Sequence, residues 1–263
     1  MAASTSFAPS AAATDASSCT SEYSVTSTAW RYRTCGIPDL DQDRIGLPEN
    51  GRNYCGPTAA TNALYYFDGH GYSNLISGES YDPMRNVNFS SVTGIIARVG
   101  LLSDTNPLVG TDDRNLMDGL REVFDVTGYG ARLGVYKVNM KRTVLSPSRI
   151  LTLYSQHNSG VNTLLGLIGI YEGGELTGTH MVTIAGASGF STGQSWITVH
   201  NPKATAADDI STQSATVERL VALGDDDGNG AELINWGSAG KKYRLDSIIG
   251  IGPRSYSTPS GGR

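Results

Sequence analysis

Long apolar runs are missing from this chain. No stretch approaches 18 consecutive apolar residues, so no transmembrane helix and no membrane partner is expected. Charge is scarce as well: Asp, Glu, Lys and Arg make up 17% of the 263 residues. The 20 basic residues are outnumbered by 25 acidic ones, for a net charge of −5, and they are scattered rather than grouped. Clustered Lys and Arg are what hold a nucleic-acid backbone, so nucleic acid is not expected as a partner. Internal repeats are absent. No CxxC pair or Cys/His cluster has zinc spacing, and neither a structural zinc nor a cofactor is expected.

Cysteine is rare too, with Cys19, Cys35 and Cys55 making the full set of three. The first two bracket a short polar stretch, "CTSEYSVTSTAWRYRTC", that has little to bury. A Cys19–Cys35 bridge would close a loop of about 15 residues and add roughly 3 kcal/mol in the chain-entropy model. Two free thiols in a frayed arm are the alternative. The bridge suits an oxidising compartment, and the expectation is a secreted, extracellular protein. The opening "MAASTSFAPSAAATDASS" lacks the charged start and apolar core of a signal peptide and reads as a mobile tail.

What is present begins with the third cysteine. "GLPENGRNYCGPTAATNALYYF" sets Cys55 behind an Asn-Gly turn and directly before Gly56 and Pro57. Pro57 fits the first turn of a helix, where its missing N–H costs nothing. Ala59, Ala63, Tyr66 and Phe67 recur at helical spacing, and "DGHG" at 68–71 ends the run. Cys55 is thus expected at a helix N-terminus, among unpaired N–H groups and the positive end of the dipole, which favours thiolate over thiol. Gly56 is expected to leave room for approach to the sulfur.

A nucleophile needs a base, and four histidines are candidates. His70 lies at the far end of the Cys55 helix and cannot reach back. His157, in "YSQHNSG", reads as a helix C-terminal residue. "LLGLIGIYEG" (164–173), "HMVTIAGASG" (180–189) and "SWITVHNP" (195–202) are rich in Leu, Ile, Val and Thr and separated by Gly-rich turns, so they read as consecutive antiparallel strands. His180 is expected to open the second and Asn201 to close the third, their ends meeting at one edge. There an amide oxygen can hold the imidazole in the useful tautomer. His200 and Asn201 are neighbours on a strand and face opposite sides, so one of them alone can join His180.

Taken together, "NYCGPTAATNAL", "HMVTIAGASG" and "SWITVHNP" resemble the papain-like cysteine peptidase superfamily, particularly its C39-like peptidase branch. The likeness spans residues 37 to 202, with these three islands carrying it. It implies an α+β, papain-like two-lobed fold, with a helical N-terminal lobe bearing the nucleophile and an antiparallel β-sheet C-terminal lobe bearing the base. It also implies catalytic roles for Cys55, His180 and Asn201, with peptide or protein as substrate. The family usually has a Gln six residues before the cysteine to help bind the oxyanion; here that position is Glu49. Gln42, in "DLDQDRIGLPENG", is expected to serve if the chain loops out and returns, and Asn53 is the nearer substitute. An amidase, deamidase or transglutaminase-like acyl transferase could use the same triad, and a non-catalytic binding protein could share the fold.

The expected organisation is a mobile arm over 1–36, a catalytic domain over 37–256 and a flexible tail over 257–263, in a monomer. Between nucleophile and base, "NFSSVTGIIARVG" and "TDDRNLMDGLREVFDVTG" carry helical periodicity, the second with Thr111 as N-cap. "ARLGVYKVNM" alternates like a strand, and "SPSRILTLYSQHNSG" opens like a helix, with Ser146 as cap and Pro147 at its first position. "GDDDGNGAE" (224–232) offers Asp225, Asp227, Asn229 and Gly230 in a calcium-like pattern. The twelfth position, which needs a carboxylate, is Trp236, so an acidic turn is the expectation.

Overall fold

A computed structural model of the chain describes residues 22–76, 89–139, 163–190, 195–203, 216–221, 231–234 and 236–254. The arm over 1–21, Cys19 and with it the expected Cys19–Cys35 bridge, the 146–159 segment with His157, the 224–230 acidic stretch and the tail from 255 lie outside these residues.

Among the described residues three α-helices form one layer: α1 (Cys55–Asp68), α2 (Phe89–Leu102) and α3 (Asp113–Val126). In α1 every residue from Gly56 to Phe67 is buried. A helix buried on all sides belongs inside a core, and here it packs against α2, α3 and the sheet. By contrast, α3 is one-sided, burying Leu116, Leu120, Val123 and Phe124 at three- and four-residue spacing. Its cap is Asp112 rather than Thr111: the Asp112 carboxylate accepts the Arg114 N–H at 2.8 Å. The Thr111 hydroxyl instead pairs with that of Thr105 at 2.7 Å. The acidic side chain of Asp112 reaches the open turn and also answers the helix dipole.

Nine strands among the described residues follow the pattern of an α+β protein: β1 (Glu22–Val25), β2 (Ala29–Arg33), β3 (Leu133–Asn139), β4 (Thr163–Glu172), β5 (Glu175–Phe190), β6 (Ser195–His200), β7 (Thr216–Val221), β8 (Ala231–Ile234) and β9 (Lys242–Pro253). All pairings between these strands are antiparallel. The order β5-β4-β9-β8-β7-β6, with β6 pairing back on β5, closes six strands into a barrel. Val182, Ile184, Ile197, Val199, Leu233, Leu245 and Ile248 fill one cluster inside it. Leu165, Met181, Ile249 and Ile251 turn the other way, into the cluster shared with the helices.

Two expectations change here. Residues 22–33, placed in the mobile arm, form the β1–β2 hairpin and extend the sheet along β5, with Trp30 opposite Gly189 and Tyr32 opposite Ala187. The period-two alternation of "AWRYR" supplies the reason, since Trp30 and Tyr32 are buried while Arg31 is exposed. And β5 starts at Glu175, so His180 is well inside it rather than opening it. Gly173 and Gly174, with φ of 60° and 92°, make a two-residue turn that carries the pairing straight on from β4.

Candidate active site

Strand alternation places the imidazole and the amide together. Along β5, Val182 and Ile184 face into the barrel; along β6, Ile197 and Val199 do. His180 lies two residues before Val182 and Asn201 two residues after Val199. Because the strands run antiparallel, with Thr183 opposite His200, both positions fall at the same end of the barrel, one layer beyond its packed core. There the His180 Nε2–H donates to Asn201 Oδ1 at 2.7 Å. The same oxygen accepts the Lys203 N–H at 3.0 Å, which fixes the amide's orientation.

Cys55 opens α1 at this end of the barrel. It is partly buried and in no disulfide. Its thiol is hydrogen-bonded to His180 and to the backbone N–H groups of Met181 and Gly56. With Nε2 committed to Asn201, the ring nitrogen that meets sulfur is Nδ1. Burial pushes the thiol up, but the hydrogen bond and charge of His180 and the two N–H groups outweigh it, leaving Cys55 below the ordinary thiol value. His180 moves the other way. Burial and the Lys203 charge lower it, yet the bonds to Cys55 and Asn201 leave it raised. Opposite shifts on two bonded groups are what a thiolate–imidazolium pair requires.

His200 turns away from this site. It is buried, its Nδ1–H donates to the Pro38 carbonyl at 2.8 Å, and burial lowers its pKa. His70 stacks on Tyr66 at the far end of α1. Gly56 does not open a path to sulfur: a Cβ there would lie 3.3 Å from Thr111 Cβ, so the glycine lets α1 pack against the loop before α3.

The amides expected to bind an oxyanion are both engaged. Gln42 is buried, and its Nε2 donates to the carbonyls of Gly51 at 3.0 Å and Arg52 at 2.9 Å. A primary amide has two N–H hydrogens, and both are taken. Gln42 therefore braces the turn that leads into α1 and does not offer the donor expected of it. The half-buried Asn53 gives one hydrogen to the Pro107 carbonyl at 2.7 Å and keeps the other. Glu49 is exposed on the same turn, at a φ of 49°. Among the described residues no group of His, Cys, Asp and Glu could hold a metal ion.

Sequence reasoning missed the Met181 N–H and Lys203, and it missed the buried Asn62, the side-chain amide within α1. An amide among the Ala, Leu, Tyr and Phe residues of α1 was a usable signal, because buried polar groups need partners.

The sequence matches no family model and no curated protein. Among solved structures it is similar to the active wild-type interpain A cysteine protease of Prevotella intermedia. The TM-score is 0.44 and the identity 15%, over 81% of this chain and 92% of that one.

Proposed function

We propose that the protein is a cysteine peptidase of the papain-like, C39-like kind, exported and monomeric, with peptides or proteins as substrates. The observation that carries the reading is the bonded Cys55–His180 pair, shifted in opposite directions, with Asn201 on the second ring nitrogen. His180 takes the Cys55 proton, and the thiolate attacks an amide carbonyl to form a C–S bond. The oxyanion is met by the Cys55 backbone N–H and, of the two amides, by Asn53, which has a hydrogen to give. As the tetrahedral centre collapses, the C–N bond breaks and His180 protonates the leaving amine. Water, deprotonated by His180, then hydrolyses the thioester and frees the thiol.

The test is cleavage of a peptide library by the purified protein, followed by mass spectrometry, with Cys55→Ala as control. Cut peptides that vanish in the control support the reading. Covalent incorporation of an added primary amine in place of cleavage would turn the chemistry to acyl transfer. No product of either kind, together with a Cys55 inert to iodoacetamide at pH 6, would leave a non-catalytic protein.

A further inference from the structure

Asn62 and Thr183 sit in the α1–β5 interface with no exposure. Asn62 Nδ2 donates to Thr183 Oγ1 at 3.0 Å, and its Oδ1 accepts the Leu40 N–H at 3.1 Å. The Thr183 hydroxyl in turn donates to the Ala59 carbonyl of α1 at 3.2 Å. Asn62 follows Cys55 by seven residues, close to two helical turns, so the two share a face of α1. Thr183 follows His180 by three on β5, with Met181, whose N–H reaches the Cys55 sulfur, between them. One short length of strand therefore grips one helix face at two places: the sulfur, and this buried polar pair.

The rest of that contact is largely apolar: Ala59 and Ala63 of α1 share a core cluster with Met181 of β5, and Tyr66 shares another with Ala185. Apolar contact is non-directional, so a helix held by it alone can shift along the strand. Hydrogen bonds between groups buried on both elements resist such a shift, because a displaced partner is left unpaired away from water. We infer that the Asn62–Thr183 pair is a positioning device that sets the register of α1 on β5 and thereby holds Cys55 in hydrogen-bonding reach of His180. The inference rests on the catalytic reading of Cys55 and His180 and assigns the pair no contact with substrate. The demand is steep, since a misplacement of about 1 Å can cost on the order of 10²-fold in rate.

The test is the pH dependence of Cys55 alkylation by iodoacetamide in the folded, full-length protein, beside thermal melting. Thr183→Val keeps the side-chain volume and removes the hydroxyl. The expected result is a midpoint raised by about one unit or more, so that the rate at a pH below the wild-type midpoint falls about tenfold or further; Thr183→Ser restores it. A Thr183→Val protein that melts earlier but keeps the wild-type midpoint overturns the inference and leaves the triad standing. A wild-type Cys55 that titrates like an ordinary thiol overturns the triad and the inference with it. Should Thr183→Val not fold, Thr183→Ala lacks the same hydroxyl, asks for less room and is read the same way.

Discussion

Replacing Gln42 by Met separates bracing from catalysis, because the side chain keeps its length and loses both donors. In the structure those donors reach the carbonyls of Gly51 and Arg52. Each such bond contributes about 0.5–1.5 kcal/mol net. The Gly51 carbonyl also accepts the Tyr54 N–H at 2.9 Å, so it keeps one partner when Gln42 is lost. Arg52 is an exposed residue whose carbonyl can turn to water. The loss should therefore fall in the lower half of the range, about 1–2 kcal/mol in all. For a domain of this size that is a fall in melting temperature of roughly 2–8 °C. Urea unfolding followed by tryptophan fluorescence gives the free energy, and turnover per folded molecule is measured on the same samples. The expected outcome is lost stability with turnover close to wild type. A protein as stable as wild type but slower by about 10²–10³-fold, with KM unchanged, is the signature of a missing oxyanion donor and would refute the brace.

His180→Ala should lose activity by about 10²–10⁴-fold, the usual contribution of a general base. His200→Ala should keep activity and instead lose about 1–3 kcal/mol of stability, because it strands the Pro38 carbonyl; equal inactivity of the two would refute the assigned strand faces. Asn201→Asp should retain more activity than Asn201→Ala, since a carboxylate can accept the same Nε2–H, and a reversed order would argue against an orienting role. With Cys55 lowered and His180 raised, the reactive pair exists between the two titrations: activity should rise with pH through the Cys55 value and fall through that of His180. Asp39, raised to about 8 by burial and by Asp41, can add a limb of its own to the turnover profile, so the Cys55 titration is better followed by alkylation than by turnover; a single rise at the ordinary thiol value would contradict the pair.

The parts of the site that could be read from sequence are those fixed by local periodicity. Gly-Pro after Cys55 located a helix start, and the alternation of "SWITVHN" separated His200 from Asn201 without knowledge of the barrel. What could not be read depends on partners distant in the chain. Gln42 looked available because its partners, Gly51 and Arg52, become neighbours only when the chain folds back before α1. Gly56 looked like an opening because nothing near it in sequence shows that Thr111 fills the space. The β1–β2 hairpin went unseen for another reason: a polar, Ser/Thr-rich stretch hid the two aromatic residues, Trp30 and Tyr32, that bury it.

The same division bears on why the Cys55 thiol is lowered. Its place at the start of α1 suggests that the helix itself lowers the thiol, but a helix N-terminus acts only modestly on a nearby charge, and burial opposes it here. Of the groups that overcome burial, Gly56 belongs to α1, whereas His180 and the Met181 N–H belong to β5. If α1 were detached from β5, the sulfur would lose the bond and charge that lower it most and keep only the local N–H. The motif around Cys55 thus supplies part of what lowers the thiol, and docking on β5 supplies the rest. Mutations far from the sulfur but within the α1–β5 contact should therefore change its reactivity more than substitutions in the exposed turn at Glu49 and Asn50, though those lie nearer in sequence.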